Sequence, residues 1–157
     1  MDGTILNSRE KKRLFAMMAD QWGMDTNFLK EHVVVQTGSG KIFFLTKDTA
    51  ELIGEMNIKV YSFGNYFGTI VKDEFRASIE GSQFLGKHAM KNVIDLTPDQ
   101  AKAWISGEDI QMDADASGYC LIRYKDDFLG CGKYTGNTLL NYVPKSRRIK
   151  NINAINI

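Results

Sequence analysis

The sequence has little of what a metal-binding, redox or disulfide-stabilised protein needs. Its 157 residues include two cysteines, two histidines and two prolines. A structural zinc site needs about four closely spaced Cys or His ligands, and Cys120, Cys131, His32 and His88 do not have that spacing. Both cysteines lie among apolar neighbours, which is typical of buried free thiols. We therefore expect no disulfide, no metal and no cofactor.

Long hydrophobic runs are also missing. No stretch approaches the roughly 20 apolar residues that span a bilayer, and residues 1–7 lack the basic-then-apolar layout of a secretory signal. Apolar residues make up 43% of the chain, which is enough for a core that folds unaided. We expect a protein without membrane contact that is cytoplasmic, or nucleolar if its host is a eukaryote.

Sequence motifs of enzymes are absent as well. There is no Gly-x-Ser-x-Gly, no dinucleotide fingerprint and no His or Cys pair with ligand spacing. Gly38 to Lys41 resembles the end of a phosphate-binding loop, but Ile42 follows where a Ser or Thr is needed, so we interpret it as a hairpin turn. The acidic cluster, which lacks the order of a calcium loop, is interpreted as a solvated loop and consists of Glu108, Asp109, Asp113 and Asp115.

The net charge of +1 conceals an uneven distribution of charge along the chain. Residues 91–127 hold 4 basic and 8 acidic side chains, whereas residues 128–157 hold 5 basic side chains and no acidic one. Local clustering of cations decides nucleic-acid affinity more than the total does. The C-terminal run is thus either a nucleic-acid contact surface or a solvated basic tail.

The first 80 residues have a mixed helical and strand pattern. Asn7 and Glu10 form a capping box that starts a helix ending near Trp22, and Gly23 suits its stop. Two short apolar runs around the turn at 37–40 predict a hairpin. The further predicted elements are a helix at 47–56 and strands at 60–64, 66–71 and 75–80, the last from strict alternation of apolar and polar residues.

A second unit begins with a strand near residue 92. Thr97, Pro98 and Gln100 together predict a helix start, and Gly107 its end. Closely spaced strands are predicted at 110–112, 118–124, 127–134 and 139–143. The fold class is therefore α+β, with an α/β domain at 1–88 and a small pseudo-β-barrel at 89–157 that are joined near 86–90 and have separate cores.

The most informative segment for function lies late in the chain. Gly130 and Gly132 alternate in a predicted strand, where glycine is costly unless another backbone, side chain or ligand approaches closely. The aromatic and basic residues that follow or flank them are typical of a single-stranded RNA surface. The bland alternatives are barrel bends for the glycines and half-buried core for the tyrosines. The candidate RNA-binding residues are Lys133, Tyr142, Lys145, Arg147, Arg148 and Lys150.

Residues 91–149 resemble a PUA domain, the RNA-binding module named after pseudouridine synthases and archaeosine transglycosylases. The resemblance rests on the Thr-Pro-Asp-Gln helix start, the Leu-Gly-Cys-Gly-Lys strand and the Tyr-Val-Pro-Lys-Ser-Arg-Arg segment. The N-terminal part, with Tyr-Ser-Phe-Gly-Asn-Tyr-Phe-Gly and Glu-Phe-Arg, is similar to the pre-PUA domain of the Nip-seven family of large-subunit ribosome biogenesis.

This resemblance implies a non-catalytic factor that binds pre-ribosomal RNA, preferably uridine-rich single strands, through Lys145, Arg147, Arg148 and Lys150. Its implied partners are ribosome-assembly or RNA-modification proteins. The C-terminal segment is also similar to PUA domains of archaeal ribosomal-RNA cytosine methyltransferases, which makes a role beside a modification enzyme a second form of the hypothesis. A protein-interaction adaptor that recruits an RNA-processing or RNA-modifying enzyme is the alternative function.

Overall fold

The computed structural model of the chain describes residues 3–56 and 64–150. In the first part, an antiparallel sheet has the strand order β1-β2-β3-β4-β5. Its strands are β1 (Thr4–Ile5), β2 (Val33–Gln36), β3 (Lys41–Leu45), β4 (Asn65–Val71) and β5 (Glu74–Ala77). Helix α1 (Ser8–Trp22) packs on one face and α2 (Lys47–Met56) belongs to the other. The predicted strand at 60–64 lies, except for Gly64, outside the described residues.

The second part forms a mixed sheet with the order β6-β8-β9-β10-β7. Its strands are β6 (Val93–Asp95), β7 (Ile110–Gln111), β8 (Gly118–Tyr124), β9 (Asp127–Tyr134) and β10 (Thr138–Asn141). Helix α4 (Pro98–Ile105) covers it, and each strand contributes a buried residue to the core around Trp104. The α+β class with a curled second sheet is confirmed.

Local sequence chemistry starts and stops the helices as predicted. The Asn7 side chain accepts from the Glu10 amide at 2.9 Å, the Glu10 carboxylate accepts from the Asn7 amide at 3.1 Å, and Gly23 ends α1 in the left-handed region at φ 63°. Thr97 and Gln100 cap α4 in the same reciprocal way. Within the described residues, no helix is long and apolar enough to cross a bilayer.

The predicted strand at 75–80 is wrong in its second half. The strand ends at Ala77, and residues Ile79–Gly86 form helix α3 instead. Ser78 is its N-cap, because its hydroxyl accepts from the Gly81 amide at 2.8 Å. Alternation of apolar and polar residues continued through the cap, so the period alone did not reveal the change.

The two sheets share their largest core, which corrects the expectation of separate cores. Residues of α1, of the first sheet and of α3 pack with Tyr119, Leu121 and Cys131 from β8 and β9. A second cluster is confined to α4 and the second sheet. The domain boundary near residue 88 stays a prediction, but the parts on its two sides are packed as one body.

The C-terminal end of α1 holds the two sheets together. The Trp22 indole, which is fully buried, donates to the Tyr119 carbonyl at 3.1 Å. Gln21 exchanges two side-chain hydrogen bonds with the backbone of Phe75, at 2.7 and 2.8 Å. Asn92, in the left-handed region at φ 54°, donates to the Gln21 carbonyl at 2.6 Å and accepts from the Ser117 amide at 3.1 Å. We call Gln21, Trp22 and Asn92 the α1 clamp.

Replacing Gln21 by alanine should lower the free energy of unfolding by about 2–4 kcal/mol. The change leaves the N–H and C=O of fully buried Phe75 without their partner, and each unsatisfied buried group costs about 1–3 kcal/mol. Urea unfolding of Gln21→Ala and the unchanged protein measures the difference.

Gln83→Ala is the matched control, since Gln83 is exposed on α3 and should change stability by less than about 0.5 kcal/mol. Trp22 and Trp104 lie in different core clusters. With both indoles retained, tryptophan fluorescence and far-ultraviolet circular dichroism should therefore report one common loss of stability for Gln21→Ala. Equal losses from Gln21→Ala and Gln83→Ala would contradict the clamp.

Both cysteines are free and buried, as predicted. Burial raises the pKa of the Cys120 thiol to about 11 and that of the Cys131 thiol to about 12. An unfolded chain releases thiol protons near pH 8.5, whereas the folded chain retains them. Their contribution to stability is therefore complete below about pH 8.5 and falls as the pH rises towards 11.

Neither thiol should react with a chromogenic disulfide reagent near pH 8 while the protein is folded, because burial suppresses the thiolate. Unfolding in guanidinium should release both thiols. The absorbance of the reagent's leaving group gives the count, and rapid reaction of a folded-state thiol would show that one side chain is accessible.

Candidate nucleic-acid interface

A pocket opens where the first sheet meets the second. Its volume is about 180 Å³. We call it the seam pocket, and its lining residues are Tyr66, Arg76, Ala77, Ser78, Ile79, Glu80, Gly130, Cys131, Tyr142, Val143, Pro144 and Arg147. Because both halves of the chain line it, the pocket exists only when they are packed together.

Three cations and three aromatic rings lie along a row that passes this pocket. Lys41 Nζ lies 5.8 Å from the Tyr66 ring centroid, and the Arg76 guanidinium carbon lies 4.8 Å from that of Tyr142. The Tyr142 and Tyr119 centroids are 6.0 Å apart, and Lys133 Nζ lies 5.2 Å from the Tyr119 ring. We call these six residues the cation–aromatic row. Cations held by ring faces keep their N–H donors for a further ligand.

Strand alternation in β5 places Arg76 in the row. Phe75 and Ala77 point into the shared core, so Arg76 points to the opposite face, where it is paired across the strands with Thr69. Thr69 in turn contacts the Tyr66 hydroxyl at 2.6 Å. The first sheet therefore presents its part of the row on the face away from α1.

Asn141 fixes the backbone on both sides of Tyr142. Its side-chain amide donates to the carbonyls of Trp104 and Glu108 at 2.8 and 3.0 Å, and its side-chain oxygen accepts from the Val143 amide at 2.7 Å. The Asn141 backbone N–H donates to the Asp109 carboxylate at 2.8 Å. Asp109 is exposed, as its interpretation as part of a solvated loop predicts, and its carboxylate is also a structural acceptor.

The two glycines that alternate in β9 occupy their positions for different structural reasons. A Cβ at Gly132 would lie 2.6 Å from the Trp104 indole and 2.8 Å from the Leu140 carbonyl, so close packing requires glycine there. Gly130 has φ 139°, lies beside the register shift in the β8–β9 pairing and lines the seam pocket. Gly132 is therefore explained by its closely packed neighbours. Gly130, which has no side chain, leaves room at the wall of the seam pocket.

Two of the predicted site residues, Lys133 and Tyr142, belong to the row. Lys145 and Arg147 lie in a short 3-10 turn (Lys145–Arg147) at the edge of the pocket. Lys145 and Lys150 are exposed, and neither forms an ion pair with residues 3–56 or 64–150. The structure therefore places the candidates in unequal environments, two in the row, Arg147 on the pocket wall and two exposed lysines beyond it.

Arg148, predicted as an RNA-binding residue, contributes to the fold of the C-terminal segment. Its side chain is half-buried, its Nε donates to the Val143 carbonyl at 3.1 Å, and its guanidinium packs against Gly107. The Ile149 amide donates to the Ile105 carbonyl at 2.9 Å beside it. Arg148 thus ties the C-terminal segment to the end of α4.

Arg147 has an internal carboxylate partner. Its Nη1 donates to Glu80 Oε1 at 2.6 Å. Burial raises the pKa of Glu80, but the hydrogen bond from Arg147, the backbone amide and the Arg147 charge together outweigh it, so that the pKa is lowered from its ordinary value. The pocket wall therefore carries an ionised carboxylate at neutral pH.

Tyr119 contributes a neutral ring to the row. Burial, followed by the neighbouring Tyr142, raises its pKa above the ordinary value. The phenol therefore stays protonated at neutral pH. Glu74 and Glu80 are the carboxylates near the row, of which Glu80 is paired with Arg147.

Sequence reasoning missed four of the six residues of the row, and it also missed Glu80 on the wall of the seam pocket. Arg76, Tyr66, Lys41, Tyr119 and Glu80 were not among the candidates, although Arg76 and Glu80 stood out as the polar members of an alternating segment. The basic run drew attention because it is continuous in sequence. The row is assembled from five strands and the loop after Asn141, so its proximity depends on the packing of the two sheets.

Comparison with known protein families divides the chain in the same order. Residues 5–79 match the NIP7/UPF0113 pre-PUA domain, and residues 91–149 match the PUA domain of methyltransferase RsmF. The presence of both domains supports RNA binding by this chain. The matches confirm the predicted succession of a pre-PUA domain and a PUA domain.

Similar curated proteins carry the name ribosomal RNA small subunit methyltransferase F. Those of Aliivibrio fischeri strain MJ11 and Photobacterium profundum are 28% and 29% identical over 67% of this chain, which corresponds to 22% of each relative. The protein of Vibrio vulnificus strain YJ016 is 33% identical over 35% of this chain and 12% of its own length. The chain thus spans about a fifth or less of the relatives it matches. It carries a pre-PUA domain of the NIP7/UPF0113 type followed by a PUA domain of the RsmF type.

Proposed function

We propose that this chain is a non-catalytic RNA-binding protein that holds single-stranded ribosomal RNA during ribosome biogenesis or RNA modification. The observation that carries the proposal is the cation–aromatic row, which has members in both sheets and crosses from Arg76 in the first sheet to Tyr142 beside the second. Rings offer stacking surfaces to unpaired bases, and the interleaved cations attract the phosphates between them.

The comparisons favour ribosomal RNA as the target class. The relatives are named as ribosomal RNA methyltransferases, and the pre-PUA match points to the same kind of RNA through the Nip-seven resemblance. A uridine-rich strand, a cytoplasmic location and partners among assembly or modification proteins stay predictions. The archaeal likeness of the C-terminal segment stays one also.

The basic C-terminal residues extend the proposed surface. Lys145 and Lys150 are exposed, so their ammonium groups are available to phosphates. Arg147 bonds Glu80 through one N–H and would present its other donors to the strand, whereas Arg148 is held by Val143 and Gly107. We therefore assign the row the leading role and the segment at 145–150 a supporting one.

Arg76→Ala combined with Lys133→Ala should weaken binding to a short oligouridine and make it less dependent on salt. Each phosphate contact on a single strand contributes about 0.7 to the slope of log affinity against log salt, so the loss of two contacts should reduce that slope by about 1.4. Fluorescence anisotropy at several salt concentrations measures both quantities.

Arg9→Ala combined with Lys12→Ala is the control of equal charge, since both side chains are exposed on α1. Thermal melting checks that each variant is folded. Equal losses from both double variants would mean that diffuse charge binds the RNA. No loss from either would favour the adaptor alternative. Phe84 offers an apolar surface for such a role, because its side chain is 41% exposed and its ring centroid lies 5.9 Å from that of Phe28.

The full chain should leave RNA chemically unchanged. Its two thiols, the side chains best suited to attack a pyrimidine ring, are buried and have raised pKa values. Ribosomal RNA incubated with the protein and a methyl donor should show no new mass, while an active ribosomal RNA methyltransferase serves as the positive control. An RNA-modifying activity that co-purifies with the chain through successive columns would overturn the non-catalytic assignment.

A further inference from the structure

One wall of the seam pocket carries an ion pair whose hydrogen-bond donors and acceptors are only partly occupied. Arg147 and Glu80 are joined by a single hydrogen bond, from Nη1 to Oε1, and their side chains are 48% and 54% exposed. The carboxylate has about four lone-pair positions and the guanidinium five N–H donors. Acceptors and donors therefore remain available side by side to a planar ligand.

A second exposed ion pair shows by contrast what distinguishes this one. Asp95 and Arg123 form two hydrogen bonds, at 2.6 and 3.0 Å, which satisfy the fork of the arginine with both carboxylate oxygens. Neither of these residues lines the seam pocket. The Glu80–Arg147 pair thus differs in its single hydrogen bond and in its position on the wall of the seam pocket.

The size of the seam pocket limits its ligand to one small flat group. Pockets for drug-sized molecules measure about 300–1,000 Å³, and this one measures about 180 Å³. Tyr66 lines one part of it, and Arg76 beside Tyr142 lines another. Aromatic rings and guanidinium planes are the surfaces on which unpaired bases stack.

We propose that the seam pocket takes one unpaired guanine from the bound strand, an inference that rests on the proposed RNA-binding function. Guanine presents two adjacent donors, N1–H and the N2 amino group, next to the acceptor O6. The carboxylate of Glu80 accepts from both donors, and the guanidinium of Arg147 donates to O6. Stacking on the pocket's rings holds the base while this edge is read.

The other bases match the pair less well. Uracil has a single donor, N3–H, on that edge, so one carboxylate oxygen gains no partner from it. Adenine presents one amino group and one ring-nitrogen acceptor, which satisfies the pair with two hydrogen bonds instead of three. Cytosine presents one amino group beside two acceptors, N3 and O2, so one carboxylate oxygen again gains no partner from the base. Guanine is therefore the preferred base at this one position, within a strand held elsewhere through phosphates and stacking.

A short oligouridine with one central substitution tests the proposal. Guanosine at that position should bind roughly tenfold more tightly than adenosine, since one bidentate contact gives discrimination of that order. Inosine, which lacks the N2 amino group, should bind roughly threefold more weakly than guanosine because one hydrogen bond is lost. Fluorescence anisotropy with the full chain gives each affinity.

Glu80→Gln should abolish the preference of guanosine over inosine, because the amide offers one acceptor and one donor in place of two acceptors. The affinity ratio is the readout, so a general gain from removing a negative charge cancels. Asp95→Asn is the matched control, since it removes the same charge from another exposed ion pair and should leave the ratio unchanged.

The outcomes separate this proposal from the function on which it rests. Failure of every oligonucleotide to bind would overturn the RNA-binding function itself. Tight binding with equal affinities for guanosine, inosine and adenosine would overturn only the guanine pocket. A guanosine preference that survives Glu80→Gln, in a variant that melts as the unchanged protein does, would also overturn it.

Discussion

The α1 clamp is the constraint on which the rest of the structure depends. Gln21 bonds both backbone groups of Phe75 in β5, and Trp22 bonds the Tyr119 carbonyl in β8. Asn92, which follows α3 in the chain, bonds the Gln21 carbonyl at the end of α1. The groups are buried or half-buried, where a lost partner leaves an unsatisfied polar atom that water does not reach. One helix end therefore sets the position of the second sheet relative to the first.

The candidate site inherits its geometry from this clamp. Phe75, held by Gln21, immediately precedes Arg76, and Tyr119, whose carbonyl is held by Trp22, packs beside Tyr142. A shift of either sheet would separate the Arg76 guanidinium from the Tyr142 ring. The site is thus a product of interdomain packing, and the fully buried core beneath it, with Leu85 and Leu121, keeps it rigid.

Sequence reasoning succeeded where the determinants are local. The capping boxes at Asn7 and Thr97, the hairpin glycines and the buried thiols are fixed by neighbours in the chain, and the structure confirms them. It was wrong at residues 78–80, where a serine cap starts a helix although the alternating pattern continues. It also missed Arg76 and Tyr66, because their partners lie in other strands and nothing in the local pattern reveals which ring a cation will face.

The way in which cations are held explains how a nearly neutral chain presents a surface suited to RNA. An arginine paired with two carboxylate oxygens, as Arg123 is with Asp95, has its charge compensated and its fork occupied. Lys41, Arg76 and Lys133 lie instead against neutral rings, which attract a cation through their quadrupole and leave its net charge intact. Counterion release depends on such uncompensated local charge. Where the carboxylates sit therefore matters more than how many the chain contains, and at the seam pocket Glu80 acts as a reader of hydrogen-bond donors instead of a neutraliser of the surface.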